Sequence, residues 1–118
     1  MKSAPSIRKL KIRKLRIKDY NALIVFWKTA KLSYRPYGRD SLENIKKQIR
    51  QSYSIYLVVE SDGKMIGAVL GTHDGRKGWI NRLAVLLAYR KQGIGKKLVA
   101  EVEKRLYQQG IGIIALPV

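Results

Sequence analysis

The chain has 118 residues, 46% of them apolar, which suits one domain with a core of its own and excludes both a second domain and wholesale disorder. With no cysteine, one histidine (His73) and eight acids, it lacks the makings of a disulfide framework or a zinc cluster; no apolar run nears the ~20 residues of a membrane span or marks a secretory leader, so a cytoplasmic protein with no metal and no membrane partner is expected. Twenty-five Lys and Arg leave a net charge of +17, which favours anionic partners (nucleic acid, an anionic membrane face or a polyphosphate ligand) without choosing among them.

Residues 1–9 read as a basic, disordered lead-in, and residues 10–118 as a single domain. Leu10/Ile12 and Leu15/Ile17 alternate with one slip of phase, which predicts a first strand over 10–17 carrying a bulge. Asp19 can cap a helix whose apolar face is Tyr20, Leu23, Ile24 and Trp27, at i, i+3, i+4 and i+7. Arg35-Pro36-Tyr37-Gly38 breaks that pattern. Asp40 and Glu43 resemble a capping box for a second helix with Leu42, Ile45 and Ile49 on one face. Three strands follow, Ser54–Glu60, Met65–Thr72 and Trp79–Val85, separated by the hairpin signals Asp62-Gly63 and Asp74-Gly75. A third helix begins after Gly95, with Leu98 and Val102 facing the core, and Gly110 stops it. Ile111–Leu116 is a last, short apolar strand. The order is β-α-α-β-β-β-α-β, without internal repeats.

The chemistry concentrates between Trp79 and the third helix. There a strand runs into Arg90-Lys91-Gln92-Gly93-Ile94-Gly95 and then a helix. A Gly-rich entry to a helix offers unpaired amides and the positive end of the helix dipole to an anion, and Gly93 and Gly95 put no Cβ in its way. Arg90, Lys91 and Lys96 add charge. A P-loop is rejected, because Arg90 stands where its first Gly belongs and Lys97 where Ser or Thr is needed; a dinucleotide fingerprint fails for want of a Gly at Leu98.

Arg90-x-x-Gly93-x-Gly95, after a strand ending Arg82-Leu83-Ala84-Val85 and with Tyr89 before it, closely resembles the acetyl-CoA signature of the GNAT superfamily of N-acetyltransferases. The element order over about residues 10–118 is similar to that family's, so the resemblance implies a mixed, mainly antiparallel α+β (α/β) fold. It also implies that Leu83, Ala84 and Val85 offer backbone groups to the acetyl and pantetheine parts of acetyl-CoA, one of their amides polarising the thioester carbonyl. The turn over Arg90, Lys91, Gln92, Gly93, Ile94, Gly95 and Lys96 would bind the pyrophosphate, and pantetheine would enter between splayed fourth and fifth strands. Transfer would be direct, from acetyl-CoA to a primary amine: a protein N-terminus, a lysine or a small amine.

Two features depart from the family pattern. Leu86-Leu87-Ala88 is apolar where the family is polar, so it should be buried or form a sticky patch. The chain also ends after the fifth strand, where the family continues with a helix and two strands that carry its cofactor-binding Asn and its acid Tyr. It therefore reads as a C-terminally truncated member, and Ile111–Leu116, as an open edge, is a candidate for self-association. Candidate bases are His73, Asp74 and Glu60, and the candidate acceptor cleft is Trp79, Asn81 and Tyr34; each has an ordinary structural role as its alternative. Other functions in view are a CoA-binding module that transfers nothing, and a small nucleic-acid- or ribosome-associated protein. The latter is less favoured, because no aromatic stacking platform accompanies the charge.

Overall fold

Alternation of Ile55, Leu57 and Val59 with Tyr56 and Val58 makes a strand that is apolar on both faces, and such a strand belongs at the centre of a layered fold. The computed structural model, which describes residues 10–115, places it there. The strands are β1 (Leu10–Lys14), β2 (Ser54–Ser61), β3 (Lys64–His73), β4 (Lys77–Val85) and β5 (Ile113–Ala115). The helices are α1 (Tyr20–Thr29), α2 (Leu42–Arg50) and α3 (Ile94–Gln108). One sheet in the order β1-β2-β3-β4-β5 is antiparallel throughout, except that β5 runs parallel to β4. This is the expected α+β architecture. The lead-in over residues 1–9 and the end of the last strand at Leu116 lie outside the described residues.

Helix α3 crosses from β4 to β5 and buries Ile94, Leu98, Val102 and Leu106 against the sheet. Burying each such side chain contributes ~1.5–3 kcal/mol. The close approach depends on three glycines. A Cβ on Gly71 would lie 2.4 Å from Val102 Cγ1, one on Gly67 2.7 Å from Val59 Cγ1 and 3.2 Å from Leu98 Cδ1, and one on Gly78 3.1 Å from Leu106 Cδ1. Leu23, Phe26 and Trp27 of α1 and Ile45 of α2 complete the core.

Several local expectations are corrected. Strand β1 pairs with β2 without a bulge from Leu10 to Lys14; the slip of phase is the end of the strand, after which Leu15 is buried and Ile17 opens a 3-10 turn. Asp19 is the N-cap residue of α1, but its side chain makes no cap bond. Its carboxylate accepts from the Arg16 backbone amide at 2.8 Å and from both terminal nitrogens of Arg13 at 2.8 and 3.0 Å. Helix α1 stops at Thr29, six residues before Arg35. The cap of α2 is Ser41, accepting from the Asn44 amide at 3.2 Å, while Asp40 is buried for another purpose; Leu42 is exposed. At Asp62-Gly63 both residues have positive φ (49° and 81°), as the tightest hairpin turn requires. Leu86 is buried, whereas Leu87 is exposed.

Two predictions concern stability. Gly71→Ala overpacks the α3 seat and should lower unfolding stability by about 1–3 kcal/mol, measured by urea denaturation. The Arg13 guanidinium, with help from the Arg16 amide and against the opposing effect of burial, holds the Asp19 carboxyl below its usual range. The stabilisation is therefore complete above the unfolded value of about 3.9 and disappears as pH falls through the lower folded value. Asp19→Asn should cost about 2 kcal/mol at pH 7 and progressively less below pH 4, so the two stability-versus-pH curves converge in acid.

Candidate functional site

The end of β4 and the start of α3 meet around one cleft of about 630 Å³. Leu83, Ala84 and Val85 form its floor, the Arg90–Lys96 turn one wall, and Ala30–Leu32, just past α1, another. Of the ten residues expected at a cofactor, only Gln92 does not line it. Tyr89 and Ala30–Leu32 were not expected. Tyr89 lies inside the motif and could have been read from it, whereas nothing in the local sequence around Ala30 points to a ligand.

The turn is built by its backbone. Lys91 and Gly93 both have positive φ, 63° and 81°, and Gly93 is the N-cap of α3. The first helical bond runs from the Lys97 amide to the Gly93 carbonyl at 3.1 Å, so the amides of the first turn have no helical acceptor. Arg90 hooks back, its Nε donating to the Val85 carbonyl at 2.8 Å, which ties the turn to the end of β4. A Cβ on Gly93 or Gly95 would meet nothing within 4 Å: both glycines face open space. Lys31, Arg90, Lys91 and Lys96 line the cleft, and no acid does. An elongated ligand with several negative charges at one end fits those donors.

Strand β4 bulges at the floor. Ala68 pairs with Ala84 and Leu70 with Asn81, so Arg82 and Leu83 together oppose Val69. Such a bulge leaves ladder groups unpaired and re-aims the strand. Among the described residues, β5 pairs with β4 from Lys77 to Trp79.

Behind the bulge lies a buried polar cluster. The guanidinium of Arg82 sits 4.3 Å from the centre of the Trp27 ring and donates to the Ser33 carbonyl at 3.1 Å and to Asp40 Oδ2 at 3.3 Å. Asp40 also accepts from the Arg35 amide at 2.7 Å. The Tyr56 hydroxyl, buried beside them, has no hydrogen-bond partner, and burial pushes its pKa well above the ordinary phenol value, the nearby Arg82 charge opposing.

The candidate bases stand apart from the cleft. His73 pairs with Gly78 and Val85 with Gly67, so seven residues of β4, roughly 20 Å, separate them. Both ring nitrogens of His73 are engaged, Nε2 with Gln109 Oε1 at 2.6 Å and Nδ1 with the Gly75 amide at 3.0 Å. Asp74 builds the hairpin: the Lys77 and Arg76 amides donate to its carboxylate and hold it below the usual range. Glu60 lies 3.3 Å from Arg13 on the far side of β2. Trp79 and Asn81 share the sheet face of Leu70 and Thr72, their cross-strand partners. Tyr34 stacks on Trp27 at 6.3 Å, and Tyr37 is fully exposed. Among the described residues no group of three or more His, Asp or Glu could hold a metal, and no helix is long and apolar enough to cross a membrane.

The architecture that frames the cleft is a mixed sheet with a bulged fourth strand and a glycine turn leading into the helix after it. The profile of the Acetyltransferase (GNAT) family matches residues 17–118. An acetyltransferase of Pectobacterium atrosepticum is 31% identical over 109 residues, 92% of this chain and 76% of that one. The crystal structure of PaiA N-acetyltransferase from Thermoplasma acidophilum, in complex with coenzyme A, is similar at a TM-score of 0.80 and 25% identity, over 93% of this chain and 79% of that one. A predicted acetyltransferase of Clostridium acetobutylicum, solved with acetyl-CoA, shares the fold at a TM-score of 0.78 and 16% identity, over 93% and 81% of the two chains. The chain belongs to the GNAT acetyltransferase family.

One prediction follows from the cluster. Tyr56→Phe removes a buried hydroxyl without a partner, so stability should hold or rise by up to about 1 kcal/mol in urea denaturation. In alkaline absorbance titration of the folded protein, the difference between wild type and variant should appear only above the ordinary phenol range, because burial pushes Tyr56 up.

Proposed function

We propose that this chain transfers the acetyl group of acetyl-CoA to a primary amine, and that the cleft at the end of β4 holds the donor. The observation that carries this reading is that the β4 floor and the Gly93–Gly95 turn line one cavity with four cations and no acid. The amides of the first α3 turn, with Arg90, Lys91 and Lys96 around them, would take the pyrophosphate. The backbone of Leu83, Ala84 and Val85 would receive pantetheine and the acetyl end, and an amide at the bulge would donate to the thioester carbonyl. The amine nitrogen would bond to the acyl carbon of bound acetyl-CoA as the C–S bond breaks, the amine's proton ending on the departing CoA thiol, while the chain's own residues orient the acyl group.

The acceptor amine must attack unprotonated. A peptide α-amine, with a reference pKa near 8, meets that condition at neutral pH far better than a lysine near 10.4. The positions of His73, Asp74 and Glu60 favour none of them as the base, so the reading includes no side-chain base. Coenzyme A in the Thermoplasma acidophilum complex supports the donor half of this reading. The acceptor half rests on the chemistry of the family.

The test is calorimetric titration of acetyl-CoA into the wild type and into Gly93→Glu. The mutation puts a carboxylate and a strained backbone where the pyrophosphate would bind. Saturable binding weakened at least tenfold in the variant is the expected result, and no binding by the wild type defeats the proposal. Mass spectrometry of a peptide with a free α-amine, incubated with acetyl-CoA and protein, then separates a transferase from a silent binder.

A further inference from the structure

We infer that Arg82 is a positioning residue for acetyl transfer: its guanidinium clamps the β4 bulge so that the backbone at Leu83 presents its amide to the thioester carbonyl. This rests on the proposed placement of acetyl-CoA in the cleft and adds the device that shapes the cleft floor.

The bulge is not at rest by itself. Arg82 has φ of 54°, in the left-handed region where an L side chain crowds its own backbone. Glycine adopts that φ freely, so an arginine here indicates that the side chain does something a glycine cannot. It reaches away from the cleft to three fixed points: the face of Trp27, the Ser33 carbonyl and Asp40 Oδ2. Trp27 is fully buried, and Asp40 is 2% exposed. Asp40 is itself held from both ends, its carboxylate by the Arg35 amide and its carbonyl by the Tyr20 hydroxyl at 2.7 Å. A planar fork that stacks and bonds at once allows little rotation, and a lysine could not copy it.

The anchor points also matter by position. Ser33 follows Ala30–Leu32, which line the cleft, and Leu83 follows Arg82 in the floor. One side chain therefore joins the wall contributed by the segment after α1 to the floor contributed by β4. A buried ion pair is a poor source of stability compared with apolar residues of the same volume, and its best-attested use is to fix one geometry among several. Here the geometry fixed is that of the bulge.

The test uses [1-13C]acetyl-CoA as probe and needs no acceptor. A hydrogen bond to the thioester carbonyl moves its 13C resonance downfield on binding. Arg82→Gly accommodates the positive φ but has no clamp. Arg82→Gly with Asp40→Asn also removes the buried carboxylate, which would otherwise keep only the exposed Arg39 as its ion-pair partner, while the amide oxygen can still accept from the Arg35 amide. We expect a downfield shift in the wild type that falls by more than half in both variants, with the acetyl-CoA dissociation constant from calorimetry within threefold of wild type. A shift retained in full by either variant overturns the inference, as does a shift lost only together with affinity. A wild type that binds without any carbonyl shift overturns it as well and leaves the donor site standing. A wild type that does not bind overturns the donor site and the inference with it.

Discussion

The seat of α3 on three glycines is the constraint from which the rest of the structure follows. Gly67, Gly71 and Gly78 remove the side chains that would hold the helix off the sheet, and Leu98, Val102 and Leu106 occupy the space. With its axis fixed, the N-terminus of α3 has one place to be, beside the end of β4. The chain must then turn sharply between Val85 and Ile94, and it does so through Lys91 and Gly93 at positive φ. The glycine turn is thus a consequence of helix packing, and its free amides are those any helix leaves at its start.

The opposite face of the sheet solves a different problem. There Trp27, Asp40, Tyr56 and Arg82 form a polar cluster inside an apolar layer, which is costly unless the groups satisfy one another. Asp40 is fully engaged, whereas the Tyr56 hydroxyl and Arg82 Nε lack partners. Such a cluster does little for net stability. Its effect is to hold the segment after α1 and the bulged strand in one register, and those are two of the three pieces that surround the cleft.

Charge acts at two ranges. Four cations line the cleft and act at contact distance on whatever anion enters. The remaining excess of the +17 acts at longer range, over a Debye length of about 8 Å at physiological salt. The second effect raises encounter rates for any polyphosphate, and only the first has the shape to select one. Where acids do occur they are mostly committed: Asp19 and Glu60 to Arg13, Asp40 to Arg82, Asp74 to its own turn, Glu101 to Arg105. Asp74 is spent on its own turn and Glu60 on Arg13, and both stand away from the cleft.

Much of the fold and the glycine turn before α3 could be read from the sequence, because local rules govern them. Period-two apolar runs made β2 and β3, paired positive-φ residues made the Asp62-Gly63 hairpin, and two glycines at a helix entry made the turn. These depend on neighbours within a few residues. The tertiary structure alone decided what depends on distant partners. Asp19 holds the N-cap position of α1, but its carboxylate turned to Arg13 instead of a helix amide, because a bidentate guanidinium outcompetes it. Ser41 took the cap of α2, because Asp40 was already taken by Arg82, forty-two residues away in the chain. Ala30–Leu32 joined the cleft by proximity to β4, with no mark in their own sequence. His73, the obvious base by residue type, was carried by strand register to the far end of β4 from the cleft. Residue type and spacing set what each segment can form, and packing across the sheet determines which groups meet.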